Sequence, residues 1–225
     1  MINKPKGWTS FDVVNKVRSV AKTSPHNTSN KKRYPVGHTG TLDPLATGLL
    51  VLMLGDYTKR APGLTKLDKT YEVVMKLGQT STTGDDEGEK TDVSDKIPTL
   101  EEVQTALSKF VGDIMQIPPV YSAIKIDGKR AYKLAREGKA PEMQPRPTTI
   151  HKIEKVTYDY PFVNFVTEVS GGTYVRSLVE DVGNVLGTGA YMSDLCRTRV
   201  GEYDLADATA VESLDPETLP KLLLA

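Results

Sequence analysis

This 225-residue chain has one cysteine, no net charge and no long apolar run. A single thiol, Cys196, excludes an internal disulfide and fits a reducing compartment, where a lone cysteine serves as a small apolar residue. No stretch of 18 apolar residues exists, so no transmembrane helix is expected. The longest apolar run, Leu49 to Leu54, is the length of a strand. The N-terminus lacks the charged-then-apolar layout of a signal peptide, which points to a cytoplasmic protein. No Walker loop and no dinucleotide fingerprint appears.

The neutral total hides an uneven distribution. Residues 1–66 carry eleven Lys and Arg against Asp12, Asp43 and Asp56, a local excess of +8. Residues 125–152 carry eight basic side chains against three acids. Acids collect at 85–102 and after 201. One basic face suits a nucleic-acid partner, although a mixed, solvated surface would also satisfy the charges alone.

Periodicity places the elements. Val13, Val14, Val17 and Val20 share a helical face behind a capping box of Thr9 and Asp12, which predicts a helix over 10–22. Residues 23–35 are polar, basic and aperiodic, an exposed loop. Helices are predicted at 57–66, 100–111, 129–137 and 176–186. Strands are predicted at 49–54, 70–77, 121–126, 149–158 and 162–169, a short strand and turn at 2–7, and a strand or irregular segment near 196–203. Residues 79–92 read as an acidic loop. Interspersed strands and helices without strict βαβ alternation indicate an α+β fold, with a mixed, mainly antiparallel sheet flanked by helices and loops. No linker stands out, so residues 1–225 read as one domain.

The most informative stretch is Val36-Gly37-His38-Thr39-Gly40-Thr41-Leu42-Asp43-Pro44-Leu45-Ala46-Thr47-Gly48-Leu49. Small residues around Asp43 allow close backbone approach. Pro44 fixes its own φ and steers Asp43 away from the α region. The carboxylate is thereby offered on a stiff loop, where the plain alternative is an Asx-type turn. One carboxylate limits the chemistry. A glycosidase needs a second acid for the leaving group, and the stretch offers none. A metal-dependent nuclease needs clustered ligands, and the only candidate, Asp85-Asp86-Glu87-Glu89, reads as a solvated charge run. Ser, Cys and Lys nucleophiles lack a paired base at a recognisable spacing. Chemistry without a metal or cofactor is expected.

Several ordered blocks resemble the TruB family of tRNA pseudouridine-55 synthases. They are Lys4-Pro5-Lys6-Gly7-Trp8-Thr9-Ser10, the 36–50 stretch, and Lys69-Thr70-Tyr71. Further on come Pro118-Pro119-Val120-Tyr121-Ser122-Ala123 with Gly128-Lys129-Arg130-Ala131-Tyr132, then Gly171 to Leu178, and finally Leu195-Cys196-Arg197-Thr198. Dyskerin-type relatives share the Gly-Thr-Leu-Asp-Pro core, but the continuation Leu45 to Leu50 looks like the bacterial tRNA branch. The resemblance implies a pseudouridine synthase-like fold and an isomerase, an intramolecular transferase, that converts uridine-55 in the tRNA T-loop to pseudouridine.

It also implies roles. Asp43 is the catalytic carboxylate, acting by attack on C1′ or by removal of the 2′ proton. Arg176 is its ion-pair partner, and a nearby guanidinium favours the ionised acid. Tyr71 lies against the uracil and accepts or relays the C5 proton. Tyr174 and Leu195 line the base pocket, and His38 stacks in the vacated space or contacts RNA. Lys129 and Arg130 bind phosphate, alongside Lys31, Lys32, Arg33, Lys59 and Arg60 as further candidates. Lys4, Pro5, Gly40 and Pro44 support the catalytic loop. The partner is the T-arm stem-loop of tRNA, with no guide RNA, no membrane and a monomer as the default. No C-terminal PUA module is expected within this length. Rival classes are an RNA-binding or RNA-folding protein without chemistry, a guide-dependent synthase, and a nucleoside hydrolase that releases uracil.

Overall fold

A computed structural model describes residues 1–24, 34–139 and 141–222. The predicted basic loop at 23–35 therefore falls largely outside the described residues, as do Lys31, Lys32 and Arg33. The fold is α+β, and most strand pairs are antiparallel. The chain divides into two compact units, Met1–Tyr71 with Leu195–Ala225, and Glu72–Asp194. Two strands, Lys69–Leu77 and Ala190–Val200, run from one unit into the other. Among the described residues no helix is long and apolar enough to cross a membrane.

In the first unit, strand Ile2–Lys4 lies between Thr47–Leu50, antiparallel, and Thr209–Ala210, parallel. Helix Ser10–Thr23 starts at the predicted capping box: Thr9 Oγ1 accepts from the Asp12 N–H, and Asp12 accepts from the Thr9 N–H. Its Val13, Val17 and Val20 pack on Ile2, Leu50, Val211 and Leu214. The apolar run 49–54 is two strands rather than one. Thr47–Leu50 pairs with Ile2–Lys4, whereas Leu52–Leu54 pairs with Val36–His38. Val51 lies between them, and its carbonyl accepts from the Thr39 N–H. The predicted helix at 57–66 is a 3-10 segment, Gly55–Arg60, followed by one α turn, Ala61–Leu64. Pro62 fits the first turn of a new helix but not the interior of a longer one.

The strand Lys69–Leu77 belongs to the second unit from Glu72 onward, and Phe162–Val169, Arg146–Asp159 and Gly112–Gln116 follow it side by side in that order. Tyr71, Val73, Met75 and Leu77 alternate inward along Lys69–Leu77, as a half-buried strand requires. Helix Leu100–Ser108 begins at a second capping box, Thr99 with Glu102, and stops short of the predicted end at 111. Gly112, at φ +111, starts a strand that periodicity did not reveal. Residues 79–92 contain a hairpin, Gln79–Ser81 against Lys90–Asp92. The strand expected at 121–126 shrinks to Lys125–Ile126, paired with Lys129–Arg130. Asp127 and Gly128, both at positive φ, make the tight turn between them. Helix Val175–Leu186 buries Leu178, Val179 and Val182 and ends on left-handed Gly187.

Candidate active site

The loop bearing Asp43 is braced from several sides within the first unit. Ser10 Oγ accepts from the Leu42 N–H at 2.7 Å and donates to the Leu42 carbonyl at 2.8 Å, closing on both backbone groups of the preceding residue. The Asp43 carbonyl accepts from the Ala46 N–H, forming a turn through Pro44 and Leu45. The Pro44 carbonyl accepts from the Gly7 N–H at 2.8 Å. Lys4 is fully buried, and its Nζ donates to the carbonyls of Pro5, Trp8 and Pro44 at 3.0, 2.6 and 3.3 Å. A buried ammonium is tolerated only when its donors are taken, and these carbonyls take them. Lys4, Pro5 and Pro44 thus meet in one knot below the loop, while Asp43 itself stays half-buried.

Arg197 holds the two ends of the same segment. Its Nη2 donates to the Gly40 carbonyl at 3.1 Å and its Nε to the Leu49 carbonyl at 2.8 Å. Arg197 is 1% exposed, so these bonds lock Gly40 and Leu49 to one rigid group. A side chain at Gly40 would press on Lys69 Cε at 3.3 Å and Arg197 Nη1 at 3.4 Å. Lys69 is buried, donates to the Thr65 and Leu67 carbonyls, and is pushed down to about 8 by burial, with repulsion from Arg197 adding to it. His38 Nδ1 accepts from the Gly40 N–H at 3.3 Å, which fixes the ring orientation. Tyr71 and Leu195 are both buried, and the Leu195 carbonyl accepts from Thr47 Oγ1 at 3.4 Å.

Arg176, Tyr174, Lys129 and Arg130 belong to the second unit. Arg176 is 6% exposed in the first turn of its helix. Its Nη1 donates to the Thr83 carbonyl and its Nη2 to the Tyr121 carbonyl, each at 2.9 Å. The Asp85 carboxylate lies 3.8 Å from Nη1. Asp85 is itself 2% exposed and accepts from Thr83 Oγ1 and the Glu87 N–H. The acidic run is therefore not wholly solvated: its first carboxylate is buried as the counter-charge of Arg176. Gly84, at φ +73, lets the chain pass Glu180 Oε1, which would lie 2.5 Å from any Cβ there. Burial pushes the Glu180 carboxyl up, opposed by Arg176.

Lys129 and Arg130 are exposed on the short hairpin, with Lys125 across from Arg130 and Lys133 and Arg136 on the helix Ala131–Arg136 that follows. Five cations in twelve residues face solvent there, with Asp127 as the only acid between them. Among the described residues no three His, Cys, Asp or Glu side chains are placed to share a metal ion. Cys196 is in no disulfide and is partly exposed.

Sequence reasoning missed Asp85 and Gln116. The signal for Asp85 was its setting, the first acid of the run, directly after Thr83-Gly84. Gln116 had no signal, because it closes a strand that was itself not predicted.

Comparison with known proteins agrees with the geometry. A profile described as TruB family pseudouridylate synthase (N terminal domain) matches residues 26–175, and one described as tRNA pseudouridylate synthase B C-terminal domain matches 176–219. The "tRNA pseudouridine synthase B" of Pseudomonas aeruginosa (strain UCBPP-PA14) is 41% identical over 100% of this chain and 73% of its own length. The "tRNA pseudouridine synthase B" of Burkholderia mallei (strain NCTC 10247) is 43% identical over 97% of this chain and 69% of its own. A solved Cbf5-Nop10-Gar1 complex contains a chain with a TM-score of 0.68 and 27% identity, covering 95% of this chain. The chain spans about half, 52%, of that longer one. The fold is that of a pseudouridylate synthase. Within that class, the chain belongs to the TruB family.

Proposed function

We infer that this protein isomerises uridine-55 in the T-loop of tRNA to pseudouridine. The observation that carries the reading is the Gly40-Thr41-Leu42-Asp43-Pro44 loop, fixed at Leu42, Pro44 and Gly40, with its carboxylate left half-exposed. A loop pinned by its backbone spends no ordering entropy when substrate arrives.

The reaction breaks the C1′–N1 bond, turns the uracil and joins C5 to C1′. The C5 proton is lost and N1 regains one, so atoms and electrons balance without a redox partner. Asp43 serves as the carboxylate, by attack on C1′ or by taking the 2′ proton. Arg176 is the cation this reading assigns to it. Tyr71 takes or relays the C5 proton. Tyr174, Leu195 and His38 contact the base or the space it leaves, and Lys4 acts through Pro44 rather than on substrate.

A stacked uridine hides C1′, so it must be swung out of the loop at a cost of roughly a few kcal/mol. Phosphate contacts from the exposed cations Lys125, Lys129, Arg130, Lys133 and Arg136 offset that cost. The substrate is bare tRNA. The Cbf5 complex named above contains further proteins, whereas the 41–43% identical relatives are named for tRNA.

The test is incubation with an unmodified tRNA transcript and no added RNA, followed by pseudouridine mapping and an assay for free base. Pseudouridine confined to position 55 supports the reading. Free uracil indicates a hydrolase, and conversion only after a guide RNA is added indicates the guided class.

A further inference from the structure

Tyr174 has a backbone arrangement that its sequence neighbours do not explain. It precedes helix Val175–Leu186 in an extended conformation, φ −104 and ψ 107, where no side-chain cap closes the helix start. Its N–H donates to Gln116 Oε1 at 2.8 Å, and its carbonyl accepts from Gln116 Nε2 at 3.0 Å. The carbonyl also accepts the first helical bond, from the Leu178 N–H. An antiparallel strand offers an extended residue one N–H and one C=O in this way. Here a single primary amide, 3% exposed at the end of strand Gly112–Gln116, supplies both. Only one orientation of the amide satisfies both bonds, because the Tyr174 N–H can only donate and its carbonyl can only accept.

The next residue adds a second tie. The Ile117 carbonyl accepts from Ser177 Oγ at 2.8 Å. Two adjacent residues, Gln116 and Ile117, therefore grip Tyr174 and Ser177, and Val175 and Arg176 lie between the grips. The guanidinium of Arg176 is held separately by the Thr83 and Tyr121 carbonyls and by Asp85. Backbone and head group are thus fixed by different parts of the unit.

We propose that Gln116 is a positioning residue for catalysis: its amide, clamping both backbone groups of Tyr174, sets the orientation of Tyr174 and the helical start that carries Arg176. The inference rests on the pseudouridine synthase reading, in which Tyr174 lines the base pocket and Arg176 serves the carboxylate. An amide is required because no other side chain of this length offers one donor and one acceptor at the spacing of a peptide. A residue that merely filled the space would be replaceable by methionine, which has nearly the same shape.

The test uses the full chain and an unmodified tRNA transcript, with enzyme in saturating excess so that one turnover is followed. Gln116→Met is predicted to slow that turnover at least tenfold, while the dissociation constant for tRNA stays within twofold of the parent and circular dichroism shows a fully folded protein. If Gln116→Met does not fold, Gln116→Asn carries the same test, since it keeps an uncharged amide but leaves it one methylene short of the Tyr174 N–H and carbonyl. A turnover rate within threefold of the parent in the folded variant overturns the inference. So does a rate loss matched by an equal loss of tRNA affinity or of folded protein. A parent enzyme that forms no pseudouridine rejects the functional reading instead, which keeps the two failures distinct.

Discussion

Three glycines in the first unit separate the two ways in which an added methyl group can harm the fold. At Gly37 the backbone is ordinary, and a Cβ would make ordinary contacts with the flexible end of Met53, at 3.5 Å, and the Thr58 methyl, at 3.8 Å. Gly37→Ala should change stability by less than about 1 kcal/mol, with a small gain from a stiffer unfolded chain. At Gly7 nothing lies within 4 Å of a Cβ, but φ is +82. Gly7→Ala should cost about 1–2 kcal/mol, the strain of an L residue in that region. At Gly48 both penalties apply. Its φ is +97, and a Cβ would lie 2.4 Å from the Arg197 carbonyl oxygen and 2.8 Å from the Arg197 nitrogen. These are backbone atoms of the parallel partner, which pairs Gly48 with Arg197. The strands would have to part by about 1 Å to reach normal contact distance. Overpacking of that kind costs about 1–3 kcal/mol, so with the dihedral strain Gly48→Ala should lose about 2–5 kcal/mol. It should also slow catalysis, because Arg197 holds Gly40 and Leu49 at the two ends of the Asp43 segment. Urea unfolding followed by the single tryptophan, Trp8, which packs on this unit's core, measures all three. A Gly48→Ala loss below about 1 kcal/mol, or one no greater than that of Gly7→Ala, refutes the reasoning.

Asp85→Asn keeps the shape and the hydrogen bonds from Thr83 and Glu87 but removes the charge beside Arg176; with two carbonyls still holding the guanidinium, turnover should fall by about 1–3 kcal/mol, or tenfold to a hundredfold, and full activity contradicts the pairing. Lys69 titrates near 8 when folded and near 10.4 when unfolded, so the unfolded state binds more protons between those values and stability gains with rising pH. Relative to Lys69→Met, the parent should gain on the order of 3 kcal/mol between pH 8 and pH 10.5, and a pH-independent difference in urea midpoints contradicts the burial argument. Charge reversal at Lys129 and Arg130 should raise the Michaelis constant for tRNA, and the double alanine variant should make the dependence of affinity on salt shallower by about two phosphate contacts; unchanged kinetics and slope remove this hairpin from the RNA footprint.

Much of the architecture follows from local patterns. Helix Ser10–Thr23 was legible from a capping box and a valine face, and both features appear as bonds and packing. Strand Lys69–Leu77 was legible from alternation. The Asp43 loop drew notice because glycine, threonine and proline around one acid are poor core material. Its bracing was not legible, because Ser10, Lys4 and Arg197 reach it from distant parts of the chain and each looks ordinary where it stands. Asp85 was misread for the same reason: a run of acids is usually solvated, and only the fold brings an arginine 91 positions away to its first member. Strand Gly112–Gln116 escaped because its outward Met115 is 64% exposed, which blurs the alternation that marks a half-buried strand.

The measurement closest to the central claim is single-turnover pseudouridine formation at position 55 of an unmodified tRNA transcript by the parent protein and by Asp43→Asn, each shown to be folded and to bind tRNA equally. Because the change replaces one carboxylate oxygen on a loop held by its backbone, the predicted result is tight binding with no detectable conversion. Conversion by Asp43→Asn at the parent's rate would contradict the account.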